Sequence, residues 1–158
     1  MDNEVFEYTL YIRTRPETLW LALTEPVMTQ TWWGVCFYSD WREGSTIDVE
    51  MRDVLIHDVE QVVVTSVPFQ RLSFTWHSFT EEWAQVHGFS EEMRSNFASE
   101  PRSTATFDIE QIGESVRLSV THSGFTSGSS VLASVKTGWP SLLSSLKSFL
   151  ETGEALVF

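Results

Sequence analysis

A chain of 158 residues with 42% hydrophobic content is long enough and apolar enough to bury a core, which excludes disorder. Ten basic against twenty-two acidic residues give a net charge of −12, and no basic cluster exists to neutralise phosphates or an anionic membrane surface. The single cysteine, Cys36, excludes a disulfide framework.

The opening "MDNEVFEYTL" is acidic and lacks the apolar run of a signal peptide, and no segment reaches transmembrane length, so a cytoplasmic protein is expected. In "VFEYTLYIRT", Phe6, Tyr8, Leu10 and Ile12 alternate with Glu7, Thr9 and Arg13, the pattern of a half-buried strand. "TRPETLWLALTEP" predicts a helix, with Thr14 and Glu17 spaced as a capping box, Pro16 in the first turn and Pro26 at its end. "PVMTQTWWG" predicts a second short helix stopping at Gly34.

A run of strands follows. "VCFYSDW" alternates weakly; "STIDVEMR" alternates cleanly, with Ile47, Val49 and Met51 opposite Asp48, Glu50 and Arg52. "HDVEQVVVTSV" and "RLSFTWHS" flank the turn-length "PFQ" and predict a hairpin. "STATFDIEQI" and "ESVRLSVTH" flank "GE" and predict another, with Ala105, Phe107, Ile109, Val116, Leu118 and Val120 on one face. Between the hairpins, residues 78–101 form an excursion in which Trp83, Val86, Phe89, Met93 and Phe97 keep helical spacing interrupted by Gly88. "GFTSGSSVLASVKTGWP" predicts a loop, a helical turn or two and a bend at Gly138–Pro140. In "GWPSLLSSLKSFLETG", Trp139, Leu142, Leu143, Leu146, Phe149 and Leu150 form one stripe, with Pro140 in the first turn and Gly153 at C′.

An antiparallel sheet wet on one face and covered by helices on the other accounts for this order. "RTRPETLWLALTEPVMTQTWWG", "PFQRLSFTW" and "GWPSLLSSLKSFLETG" resemble the activator of heat shock protein 90 ATPase homologue family, within the START-like, SRPBCC superfamily. The resemblance runs over nearly the whole chain. It implies a single α+β domain of the helix-grip, birch-pollen-allergen-like type. About seven curved strands would wrap a long C-terminal helix, with two short helices after the first strand. It also implies a deep cavity between sheet and helix for an apolar small molecule, lipid-like or aromatic.

On that reading the ligand-lining candidates are Val49 and Met51, Phe74 and Trp76, then Phe107, Leu118, Val120 and His122 of the last hairpin. Trp139, Leu143 and Leu146 would face them from the helix, with Trp33 and Trp41 near one end. The co-chaperone that names the family has a further N-terminal domain, whereas this sequence opens on its first strand, so stimulation of a chaperone ATPase is not expected. The sequence also has Thr65 where family members often carry an acidic residue, and its excursion is longer than usual.

Catalytic and metal motifs are scarce. His57, His77, His87 and His122 stand in no metal-ligand spacing, and no nucleophile elbow, phosphate loop or dinucleotide fingerprint occurs, so neither a metal nor another cofactor is expected. His122 shares the parity of Val120 and should face the covered side, where it either orients a ligand or is satisfied by the protein. His77 has the opposite parity to Trp76 and should face outward. Asp58 and Glu60 are two apart on one expected strand and so share a face; paired carboxylates suit acid–base work only where a pocket parts their pKa values, and solvation is the simpler account. Three functions remain: a non-enzymatic receptor for an apolar molecule; a protein-binding, co-chaperone-like module using its acidic outer face and the excursion around Trp83 and Phe89; and an enzyme, for which too few titratable groups converge.

Overall fold

Side-chain alternation builds the first strand, β1 (Glu4–Ile12), in the computed structural model, which describes residues 4–76 and 78–158. Phe6, Tyr8, Leu10 and Ile12 turn toward the protein while Val5, Glu7, Thr9 and Tyr11 are exposed, as period-2 patterning requires. Two helices follow, α1 (Pro16–Thr24) and α2 (Pro26–Trp33). The capping box does not form: α1 is capped by Arg15 without a side-chain bond, and Pro16 starts the helix. Instead Glu151 accepts from the Arg13 N–H at 2.8 Å and from Lys147 Nζ at 2.8 Å, clasping the end of β1 to the last helix. Those two bonds hold the Glu151 carboxyl below its ordinary pKa. Gly34 closes α2 at φ 87°, a left-handed conformation that suits glycine.

Three short strands come next, β2 (Cys36–Tyr38), β3 (Asp48–Met51) and β4 (Val54–Ile56), forming an antiparallel sheet in that order. The β3–β4 hairpin is not foreseen in the sequence, because its turn residues are Arg52 and Asp53, both at positive φ (47° and 65°), in place of the usual glycine or asparagine. On its outer side Tyr38 Oη–H donates to Glu50 at 2.8 Å, and this bond raises the Tyr38 pKa to about 12. Asp48 pairs with His57 Nδ1 at 2.5 Å. The outward carboxylates of β3 are thus engaged in cross-strand contacts.

The larger sheet contains β5 (Val63–Val67), β6 (Arg71–Trp76), β7 (Ser103–Ile112) and β8 (Ser115–Phe125), with spatial order β1-β8-β7-β6-β5, all antiparallel. Both expected hairpins form, the second with Ile112 opposite Ser115 across Gly113 and Glu114. The two sheets meet where Thr46 bridges Val62 and the Ile47 N–H donates to the Gln61 carbonyl at 3.0 Å. The excursion holds α3 (Glu81–His87) and α4 (Glu91–Ala98), separated by Gly88 at φ 69°. Thr80 and Ser90 cap them, each accepting at 3.2 Å from the N–H three residues on.

The last helix, α5 (Ser130–Thr152), is longer than its sequence suggests, and Pro140 lies inside it rather than in its first turn. An interior proline removes a hydrogen bond and crowds the preceding turn, at about 3 kcal/mol. Val131, Leu132, Val135 and Trp139 carry the buried stripe upstream of it, and burying four such side chains outweighs that penalty. Gly153 terminates the helix at φ 85°, as its position in the sequence indicates. No helix among the described residues is long and apolar enough to cross a membrane.

Candidate functional site

The space between the large sheet and α5 is occupied chiefly by the protein's own rings. Phe74 and Trp76, two apart on β6, project to the same face and meet Phe107 of β7 and Trp139 of α5. Ring centroids lie 5.1 Å apart for Trp76 and Trp139, 5.6 Å for Phe107 and Trp139, and 5.5 Å for Trp33 and Trp139. Leu118, Val120, Leu143 and Leu146 are fully buried around them, and Val49 and Met51 are buried on β3. Trp41 is tied down by its indole N–H, which donates to the Thr24 carbonyl at 3.1 Å. Ten of the thirteen ligand-lining candidates, all but Trp33, Trp76 and Trp139, therefore stand in or beside a packed core, away from the recess described below.

His122 is satisfied by the protein. It is fully buried, its Nδ1 accepts from the Trp139 indole N–H at 3.1 Å, and its Nε2 lies 2.8 Å from Ser103 Oγ. An indole nitrogen only donates, so Nδ1 is unprotonated and Nε2 carries the proton. Burial penalises the imidazolium and pushes the pKa down to about 3. No ring nitrogen remains for a ligand.

The open space lies to one side, beneath the excursion. A recess of about 210 Å³ has Trp33, Trp76 and Trp139 at its base. Phe79, Trp83, Phe89 and Phe97 form the excursion's wall, and Val131, Val135, Gly138 and Leu142 form the α5 wall. The α5 residues recur at i, i+4, i+7 and i+11, a single helical stripe. Trp83 is the keystone opposite, with ring centroids 4.9 Å from Phe79, 5.0 Å from Phe89 and 5.8 Å from Phe97. The polar side chains of this wall, indoles aside, are His87 and Ser134. The helical spacing of Trp83, Phe89 and Phe97 marks an apolar face in the sequence. That this face turns onto α5 depends on the fold.

Gly138 is the informative member. Its backbone is not in the left-handed region, and a Cβ built there meets nothing within 4 Å. Neither conformation nor packing requires glycine, although glycine inside a helix costs roughly 0.5–1 kcal/mol relative to alanine. What its missing side chain provides is room in the recess.

Glu100 fastens the excursion to α5. Its carboxylate accepts from the Ser130 N–H at 2.9 Å and the Val131 N–H at 3.3 Å and bonds the Ser129 hydroxyl. A carboxylate at a helix N-terminus satisfies orphan donors and the helix dipole together. Glu100→Ala is expected to lower stability by about 1–2 kcal/mol, read as a shift in the urea midpoint at unchanged slope.

Asp58 and Glu60 precede β5 rather than sharing a strand, and both meet Arg102. Burial raises the Asp58 pKa, but the Glu60 N–H, Arg102 and Ser78 together outweigh it and hold the carboxyl below its ordinary range. That is an ion-pair cluster centred on Arg102. Among the described residues no group of three or more His, Cys, Asp or Glu side chains is placed to hold a metal ion. His77 lies outside the described residues.

Comparisons with solved structures agree with this architecture. The Aha1 dimer from Colwellia psychrerythraea is 21% identical with TM-score 0.70, covering 98% of this chain and 100% of that one. Protein MLL2253 from Mesorhizobium loti is 21% identical with TM-score 0.71, covering 93% and 96%. CalU16 from Micromonospora echinospora is 17% identical with TM-score 0.66, covering 96% and 76%. At these identities the likeness concerns the fold. No curated protein matches the chain. The family model described as Activator of Hsp90 ATPase homolog 1-like protein matches residues 13–151, and the chain, with its helix-grip fold, belongs to that family.

Proposed function

We propose that this protein is a receptor for a small apolar molecule, held in the recess between the α3–α4 excursion and α5. Gly138 carries the reading: helix stability is given up at a position where only the recess gains from it. The volume supports it, since a dry apolar cavity of about 150 Å³ holds benzene, and about 210 Å³ suits one substituted ring or two fused rings. A lipid chain or sterol fits this space less well, because pockets for larger ligands run to about 300–1,000 Å³. Aromatic rings at the base and on the excursion wall favour a flat aromatic guest, bound mainly through area removed from water at about 25 cal/mol per Å² before ordering costs.

The reading is one of binding rather than catalysis. His87 is the titratable side chain among the lining residues, and general acid–base chemistry calls for a second partner. A co-chaperone-like docking surface centred on Trp83 and Phe89 has less support. Trp83 is only 5% exposed, and both rings face the recess.

The test uses the glycine. Wild-type protein is expected to bind members of an aromatic panel at tens of micromolar or better, measured by calorimetry and ligand-observed NMR. Gly138→Leu should remove that binding while the far-UV spectrum is unchanged. Gly138→Ala should raise stability by about 0.5–1 kcal/mol, read from urea unfolding. A panel without a single binder, or unchanged affinity in Gly138→Leu, overturns the proposal.

A further inference from the structure

We infer that His87 selects the guest: the recess takes flat aromatic molecules bearing one hydroxyl or N–H donor, in preference to hydrocarbons of the same shape. The inference rests on the binding reading above and adds a chemical class to it. His87 sits in the last turn of α3 as a solvent-exposed residue, and its ring forms part of the recess wall at the rim. Its Nδ1 lies 2.9 Å from the Trp83 carbonyl in the preceding turn. A carbonyl only accepts, so Nδ1 carries the proton and Nε2 of the neutral ring is an acceptor. The ring itself is held firmly, stacked on Phe89 at 5.7 Å and tilted on Trp83 at 4.8 Å.

The tautomer is therefore set by the helix and the plane by two aromatic neighbours. Nε2, across the ring from the anchored nitrogen, has no partner among the described residues. This is the opposite arrangement to His122, whose two nitrogens both serve the protein. An otherwise apolar wall with one oriented acceptor discriminates by what it leaves unmatched. A hydrocarbon guest lying against this ring shields Nε2 from water without replacing the bond, whereas a phenolic or indolic donor at the rim replaces it. Ser134, across on α5, is the second polar side chain in the wall, and its hydroxyl can donate or accept, so it does not distinguish a donor guest from an acceptor guest.

The experiment compares 2-naphthol with 2-methylnaphthalene, matched in shape, by calorimetry and competition NMR. Wild-type protein is expected to bind 2-naphthol roughly threefold to tenfold more tightly. His87→Phe keeps a ring against Phe89 but has no acceptor, and should bring the ratio to about one chiefly by weakening 2-naphthol. His87→Gln retains an acceptor oxygen and should keep part of the preference. Thermal unfolding of each variant reports its folding, and the wild-type ratio stands as a test whatever the variants do. Equal binding of the two guests by wild type, or a ratio that survives in His87→Phe, overturns the selector and leaves the receptor standing. Binding of neither guest by wild type overturns the selector, and the receptor falls with it when the rest of the aromatic panel also fails to bind.

Discussion

Acidification from neutral pH to about 4.5 is expected to remove about 3 kcal/mol of folding stability through His122 alone. The imidazole is neutral in the folded protein down to about pH 3, whereas in the unfolded chain it takes up a proton near its ordinary value of 6.5. Between those values the unfolded state binds the extra proton, so stability falls as pH falls. The contribution is complete above about pH 6.5 and declines by roughly 1.4 kcal/mol per pH unit below it. Protonation would also place an N–H on Nδ1 against the indole N–H of Trp139, two donors facing each other.

Asp40, Asp58, Glu91 and Glu151 have lowered pKa values, and their contributions are lost only below the ordinary carboxylate range. The interval from about 6.5 to 4.5 therefore belongs to His122 among these groups. Urea titrations across that interval should show the loss in wild type, while His122→Gln, less stable at neutral pH, should give a nearly flat profile. A wild-type profile as flat as the variant's would contradict the buried neutral imidazole.

Trp139→Ala is expected to cost about 3–5 kcal/mol, a large share of the stability of a domain this size. The indole is 1% exposed and touches Trp33, Trp76 and Phe107, so truncation opens a void that rigid aromatic neighbours close poorly. It also removes the donor to His122 Nδ1. Trp139→Phe separates the two effects: a ring remains, but the buried nitrogen loses its partner, at about 1–3 kcal/mol. The order wild type, Phe, Ala in urea midpoint is the expected result. An Ala variant as stable as wild type would mean that the space between sheet and helix is not filled as the packing indicates.

The faces of β1, β7 and β8 were legible because each strand is wet on one side, and period-2 alternation records burial directly. The β3–β4 turn was not, since Arg52 and Asp53 adopt positive φ without the residues that usually signal it. The start of α5 was hidden by its Gly/Ser-rich approach and by Pro140, whose local meaning is a helix boundary; burial of Leu132 and Val135 reverses that meaning. For the site, strand parity turns Trp76 and His122 inward and the helical stripe turns Trp139 inward, as their burial bears out. Yet an inward residue either lines a space or fills it, and periodicity does not distinguish the two.

From residues alone come the order of the elements other than β4, the acidic charge and the membership of most buried faces, because these follow from short-range spacing and composition. Where the room lies comes from the assembled molecule. Three indoles pack into the grip of the sheet, and the excursion folds its rings over α5 beside them. Empty volume is a difference between the shapes of distant surfaces brought together, and no stretch of chain encodes it locally.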